Sequence, residues 1–150
     1  MIARILLVED GAAEAMMYSD FLTTHGLLVS MAVCLEDAKD ELTKEGFDAI
    51  VLDLLLPNSA GIKTVASLHE CCPSTPIVVL TGLDYSEAEI GSILEGAQEF
   101  LKKPCGPSTL LNALLKAVAR QRVRPQFQKV EGITQELKRV CDARCGVQST

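Results

Sequence analysis

The run Ala49-Ile50-Val51-Leu52-Asp53-Leu54-Leu55-Leu56-Pro57 constrains this chain more than any other stretch. Short, apolar and closed by proline, it reads as a strand buried on both faces, the setting of a parallel sheet with helices above and below. Its one carboxylate is foreign to such an interior, because an ionised group buried without a partner is costly. Asp53 is therefore placed where the strand ends, facing a polar crevice. The remainder of the chain has to supply what shares that crevice.

Strand and helix signals alternate along the chain. Ala3 to Val8 reads as a strand, and Glu9-Asp10-Gly11 leads into a helix from about Ala12 to His25, with Ala13, Met17 and Phe21 recurring every four residues and Gly26 suited to its end. Leu27 to Val33 reads as the second strand. Leu35, Ala38 and Leu42 mark one face of a second helix that stops near Gly46. After the Asp53 strand, Ile62 to Cys71 reads as a third helix, ended by Pro73 and Pro76. Ile77 to Leu80 is a fourth strand followed by Thr81-Gly82. Ser86 and Glu89 have capping-box spacing ahead of Ile90, Ile93, Leu94 and Ala97. A short fifth strand covers Glu99 to Lys102, Lys103-Pro104 ends it, and Leu111, Leu114, Leu115 and Val118 stripe a last helix up to about Arg122. Alternation of this kind implies right-handed crossovers and a doubly wound α/β fold, a five-stranded parallel sheet with helices on both faces.

Ligands in such folds sit outside the carboxyl ends of the strands. Glu9 and Asp10, Asp53, Thr81 and Lys103 all fall at those ends and are expected to converge. Three carboxylates in one crevice repel one another, by about 4 kcal/mol per pair at ~4 Å and an effective dielectric near 20. A hard divalent cation, Mg²⁺ above all, suits all-oxygen ligands and offsets that repulsion. Glu9 and Asp10 are adjacent and cannot both point the same way from a strand, so one can bind the metal directly and the other through water. With a cation present, Asp53 becomes a plausible nucleophile towards a phosphoryl group, with Lys103 and the Thr81 hydroxyl holding phosphate oxygens.

Leu6-Leu7-Val8-Glu9-Asp10, Val51-Leu52-Asp53-Leu54-Leu55-Leu56-Pro57 with Gly61, Leu80-Thr81-Gly82 and Phe100-Leu101-Lys102-Lys103-Pro104 together resemble the receiver domain of two-component response regulators. The resemblance spans about Met1 to Arg122. It implies a flavodoxin-like sheet of order 2-1-3-4-5 and phosphorylation of Asp53 by a histidine kinase or histidine phosphotransfer protein. It also implies Mg²⁺ held by Glu9, Asp10, Asp53 and the backbone carbonyl of Leu55. Thr81 and Phe100 would then move on phosphorylation and reshape the surface of helix four, strand five and helix five, a possible homodimer face that signals to a downstream protein. In relatives the Lys103-Pro104 bond is often cis. Gly82 departs from a frequent alanine, Phe100 lacks a tyrosine hydroxyl, and Leu55 is apolar where water approaches the acyl phosphate, which points to slow self-dephosphorylation.

Other classes fit less well. A formal charge of −6 over 150 residues disfavours nucleic-acid binding. No run reaches the ~18 apolar residues of a membrane span, and Cys34, Cys71, Cys72, Cys105, Cys141 and Cys145 make no disulfide framework, so a cytoplasmic setting is expected. Cys105 is the thiol to test for reactivity, because Lys103 lies near it in sequence. A dehalogenase-type phosphatase would need a second aspartate where Leu55 stands, and Glu9-Asp10-Gly11-Ala12-Ala13 would repel a flavin phosphate. The chain is thus expected to be a signalling phosphoacceptor that catalyses only its own phosphorylation and dephosphorylation. The alternative is a receiver-like interaction module that works without phosphorylation, against which the complete set of acids, threonine and lysine argues. Residues 1–122 are assigned to the receiver and 123–150 to a tail, where Val130, Ile133, Leu137 and Val140 mark a short amphipathic helix that can fold back, pair with a copy of itself or lead to an output module. Arg120, Arg122 and Arg124 read as a solvated helix terminus.

Overall fold

The computed structural model describes residues 2–59 and 61–123. The expected tail helix, Arg124, Cys141 and Cys145 lie outside them. Five strands, β1 (Arg4–Val8), β2 (Leu28–Ala32), β3 (Ala49–Leu52), β4 (Ile77–Thr81) and β5 (Glu99–Lys102), alternate with helices α1 (Ala12–Thr24), α2 (Leu35–Lys44), α3 (Ile62–Cys71), α4 (Glu87–Gly96) and α5, which runs through 107–123. The strands form one parallel sheet, as their alternation with helices implied, in the order β2-β1-β3-β4-β5 that the family resemblance implied.

Strand periodicity divides the interior. Ile5, Leu7, Val51, Val78 and Leu80 face one core, which the apolar sides of α1 and α5 cover through Ala15, Tyr18, Leu22, Leu110 and Leu114. Leu6, Val8, Ile50, Leu52, Ile77 and Val79 face the other, covered by Ala38, Val65, Leu68 and Ile93 of α2, α3 and α4. The central strands are buried on both sides, which is why β3 and β4 read as continuous apolar runs. Each such leucine or isoleucine contributes roughly 1.5–3 kcal/mol by leaving water.

Three helices bury a stripe that differs, wholly in α1 and in part in α5 and α4, from the one their periodicity suggested. On α1, Ala13 and Met17 are exposed and Phe21 only half-buried, while Ala15, Tyr18 and Leu22 face the core. That helix carries apolar residues on several faces, so spacing could not choose between them. Tyr18 decides the matter: its ring fills the core and its hydroxyl donates to the Cys105 carbonyl at 2.9 Å, a bond across the molecule that spacing along one helix cannot reveal. On α5 the buried set is Leu110, Ala113, Leu114, Ala117 and Val118, and Leu115 turns outward. On α4, Leu94 is likewise exposed and Ile93 buried, behind a capping box in which Glu89 N donates to Ser86 Oγ at 3.2 Å and Ser86 N to Glu89 Oε1 at 3.1 Å.

Leu114 and Leu115 are neighbours of the same chemistry with opposite burial, 0% against 48% exposed. Leu114→Ala is expected to cost about 2–5 kcal/mol of unfolding free energy in urea titrations, and Leu115→Ala to stay within about 0.5 kcal/mol of the parent. Equal losses would contradict the packing of α5.

Candidate functional site

Register places the site. β1 is paired so that Val8 lies beside both Ala32 and Leu52, and β4 so that Thr81 lies beside Lys102. The ladders continue one residue past the strands: Glu9 N donates to Ala32 O at 3.0 Å, Asp53 N to Val8 O at 3.0 Å, and Lys103 N to Thr81 O at 2.9 Å. Main-chain bonds thus fix Glu9, Asp53 and Lys103 along one carboxyl-terminal edge of the sheet. Asp53 lies just beyond the end of β3, as its charge required.

The side chains from that edge converge. Lys103 Nζ donates to Glu9 Oε2 at 2.8 Å, to Asp53 Oδ2 at 3.0 Å and to Glu14 Oε2. An ammonium has three protons, and here each meets a carboxylate. Burial by itself would lower the lysine pKa, but hydrogen bonds to Glu14, Glu9 and Asp53 outweigh it and hold the ammonium charged well above its ordinary range. Glu9 and Asp53 are almost fully enclosed, whereas Glu14 is half in solvent.

Each buried carboxylate also has a backbone donor. Gly11 N reaches Glu9 Oε1 at 3.1 Å, and Leu55 N reaches Asp53 Oδ1 at 2.9 Å. A Cβ on Gly11 would stand 3.2 Å from that Glu9 oxygen, so the absence of a side chain there lets the carboxylate fold back. Burial raises the Glu9 pKa most; bonds from Lys103 and the Gly11 amide pull it down, the Asp53 carboxylate pushes it up again, and the balance is upward. Leu55 itself turns its side chain to solvent.

Asp10 is exposed, yet Glu9, Asp10 and Asp53 each offer a carboxylate oxygen within 4.8 Å of the others. Both acids of the Glu9-Asp10 pair lie past the end of β1, where strand alternation no longer forces them apart. Three anionic oxygens against one ammonium leave an excess of negative charge. All-oxygen donors with that excess fit a hard divalent cation such as Mg²⁺.

Thr81 ends β4 fully buried, and its Oγ1 accepts from Leu83 N at 3.2 Å, so the hydroxyl is turned into its own loop. Phe100 is half-buried on β5 and meets Tyr85 edge-on, with centroids 6.2 Å apart. The Lys103-Pro104 peptide is cis. A Cβ on Gly82 would meet only Lys103 Cβ, at 3.8 Å, so the backbone there has room for a methyl side chain.

Two participants went unread in the sequence. Glu14 is an acid in the first turn of α1, and only the fold brings it to Lys103. Lys102, one residue before the site lysine, points the other way, donating to Gly82 O at 2.9 Å and pairing with Asp84, and so ties down the loop after β4. The expectation for Cys105 needs correction: burial pushes its thiol pKa up, and the charge of Lys103 is engaged by carboxylates. His25 is exposed and bonded to Phe21 O through Nδ1, and His69 is half-buried.

Comparison with known proteins points one way. Residues 5–115 match the family of response regulator receiver domains. The chain is 32% identical over 115 residues to the regulatory protein LuxO of Vibrio cholerae, covering 74% of this chain and 25% of LuxO. It is 32% identical over 117 residues to the swarming motility regulation protein RssB of Serratia marcescens, covering 78% of this chain and 53% of RssB. The chain thus spans about a quarter to a half of these relatives' length. Among solved structures, the CheY-like response regulator receiver domain protein of Methanospirillum hungatei superposes with a TM-score of 0.76 at 24% identity, covering 83% of this chain and 99% of that one.

The raised Glu9 pKa carries a sign. A carboxyl that holds its proton more tightly when folded adds stability below its ordinary pKa of 4.5 and loses it as pH rises through the folded value. In metal-free buffer, Glu9→Gln is therefore expected to raise the unfolding free energy at pH 7, with the gain shrinking towards pH 4. A loss at pH 7 in urea titrations would contradict the electrostatic account.

Proposed function

The chain belongs to the response regulator receiver domain family, and on that footing we propose that it is a phosphoacceptor whose acceptor is Asp53. The observation that carries this reading is Lys103 Nζ lying 3.0 Å from Asp53 Oδ2 and 2.8 Å from Glu9 Oε2, with Asp10 beside them. One Asp53 oxygen attacks the phosphorus of a phosphohistidine on a sensor kinase or phosphotransfer protein. The new O–P bond forms as the N–P bond breaks, and the imidazole keeps the electron pair and takes a proton from solvent.

Glu9, Asp10, Asp53 and the Leu55 carbonyl would hold Mg²⁺, which supplies positive charge against the incoming phosphoryl oxygens. Lys103 binds one of those oxygens. Thr81 binds another by rotating its hydroxyl away from Leu83 N, and Phe100 follows inward behind it, so that the surface of α4, β5 and α5 becomes the signal. The receiver module is assigned to residues 1–122, and 123–150 to an extension or linker towards an output. Among the described residues no helix is long and apolar enough to cross a membrane, and Cys34, Cys71, Cys72 and Cys105 are free thiols, which supports a cytoplasmic site of action.

Incubation with acetyl phosphate and Mg²⁺ is expected to add one phosphoryl mass to the intact chain. Chelation of Mg²⁺ and Asp53→Asn should each abolish the addition. Undiminished labelling of Asp53→Asn would overturn the assignment, and a wild-type chain that never gains mass would favour an interaction module independent of phosphorylation.

A further inference from the structure

Resting on that reading, we propose that Glu14 is a positioning residue for Lys103. It occupies the third proton of the ammonium while Asp53 is unmodified, and yields that place to a phosphoryl oxygen. The argument is one of valence and exposure. Lys103 Nζ has three donors and three carboxylate partners, Glu9, Asp53 and Glu14. A phosphoryl oxygen can take a direct bond from this lysine only if one partner lets go.

The three partners are not equally free to do so. The side chains of Glu9 and Asp53 are each only 5% exposed, and both are held by backbone amides, from Gly11 and Leu55. Releasing Glu9, or Asp53 while it is still a carboxylate, would deprive a buried charge of its hydrogen-bonded cation, which is the costly event. The Glu14 side chain is 51% exposed and projects from the first turn of α1. Swung into solvent, it exchanges an ammonium for water at the small cost of an exposed ion pair. Charge runs the same way: the phosphoryl group brings its own anionic oxygens to Lys103, so a further carboxylate there becomes repulsive. Glu14 is the counterion before transfer, and the phosphoryl group afterwards.

Removing the tether should therefore speed phosphoryl uptake without altering the phosphorylated state, in which Glu14 has already left. With acetyl phosphate and Mg²⁺, the Asp53 O–P bond forms as the bridging P–O bond of the donor breaks and acetate leaves with the electron pair. Uptake rate and phosphate lifetime are followed by intact mass on the full chain, for wild type, Glu14→Gln and Glu14→Asp. Asp keeps the charge but is one methylene too short to hold Nζ. Both variants are expected to take up the phosphoryl group about two- to fivefold faster, the range set by an exposed ion pair, with wild-type lifetimes. Unchanged or slower uptake, or a lifetime that shifts in step with uptake, would overturn the tether. A fast Glu14→Gln beside a wild-type-like Glu14→Asp would also overturn it, since charge alone would then be acting. Absence of phosphoryl addition to wild type would overturn the phosphoacceptor reading and this proposal with it.

Discussion

Everything at the carboxyl edge of the sheet depends on Lys103 standing among carboxylates. Glu9 and Asp53 are almost without contact with water, and in a low-dielectric crevice two such charges repel strongly. The ammonium is what allows them to be ionised side by side, and the backbone amides of Gly11 and Leu55 complete their hydrogen bonding. Such an arrangement is a poor source of stability, because desolvating the charges consumes much of their attraction. Under the proposed function its value lies in chemistry: Asp53 would supply a nucleophilic oxygen, Lys103 a cation beside it, and the remaining acids the ligands for a metal.

The sheet exists in the form that makes this possible. Five parallel strands put all their carboxyl ends on one side, and the ladders carry on one residue further to fix Glu9, Asp53 and Lys103 by their own peptide groups. Helices on both faces bury the strands themselves, so that the charges gather just past their carboxyl ends. Tyr18 joins α1 to the loop that carries Pro104 and Cys105, holding the helix with Glu14 against the end of β5, where Lys103 follows. Lys102 secures the loop after β4, close to the buried Thr81. The two lysines are neighbours in sequence, but one serves the site and the other its surroundings.

Much of this was legible before any coordinates. Apolar runs, one closed by Pro57 and one followed by Thr81-Gly82, marked β3 and β4, and Ser86 with Glu89 marked the start of α4 through a local bond that spacing fully specifies. Asp53, Glu9, Asp10, Thr81 and Lys103 stood out because each is a polar residue at the end of an apolar run. The buried stripe of α1 did not, since alanine and methionine on several faces leave the choice to tertiary packing, and Tyr18 makes it through a partner 87 residues away. Glu14 was hidden for a related reason: its meaning comes from Lys103, 89 residues later, and nothing local distinguishes it from an acid that complements a helix dipole. Local signals could be read; pairings across the sheet could not.

The central claim is that Asp53, and no other acid in the cluster, is the one that forms an acyl phosphate. Borohydride reduces an acyl phosphate to the alcohol and leaves free carboxylates intact, so it records the acceptor's position. After treatment with acetyl phosphate and Mg²⁺ followed by borohydride, peptide mapping should find homoserine at position 53 and unmodified side chains at Glu9, Asp10 and Glu14. Reduction at any of those three, with Asp53 intact, would contradict the account.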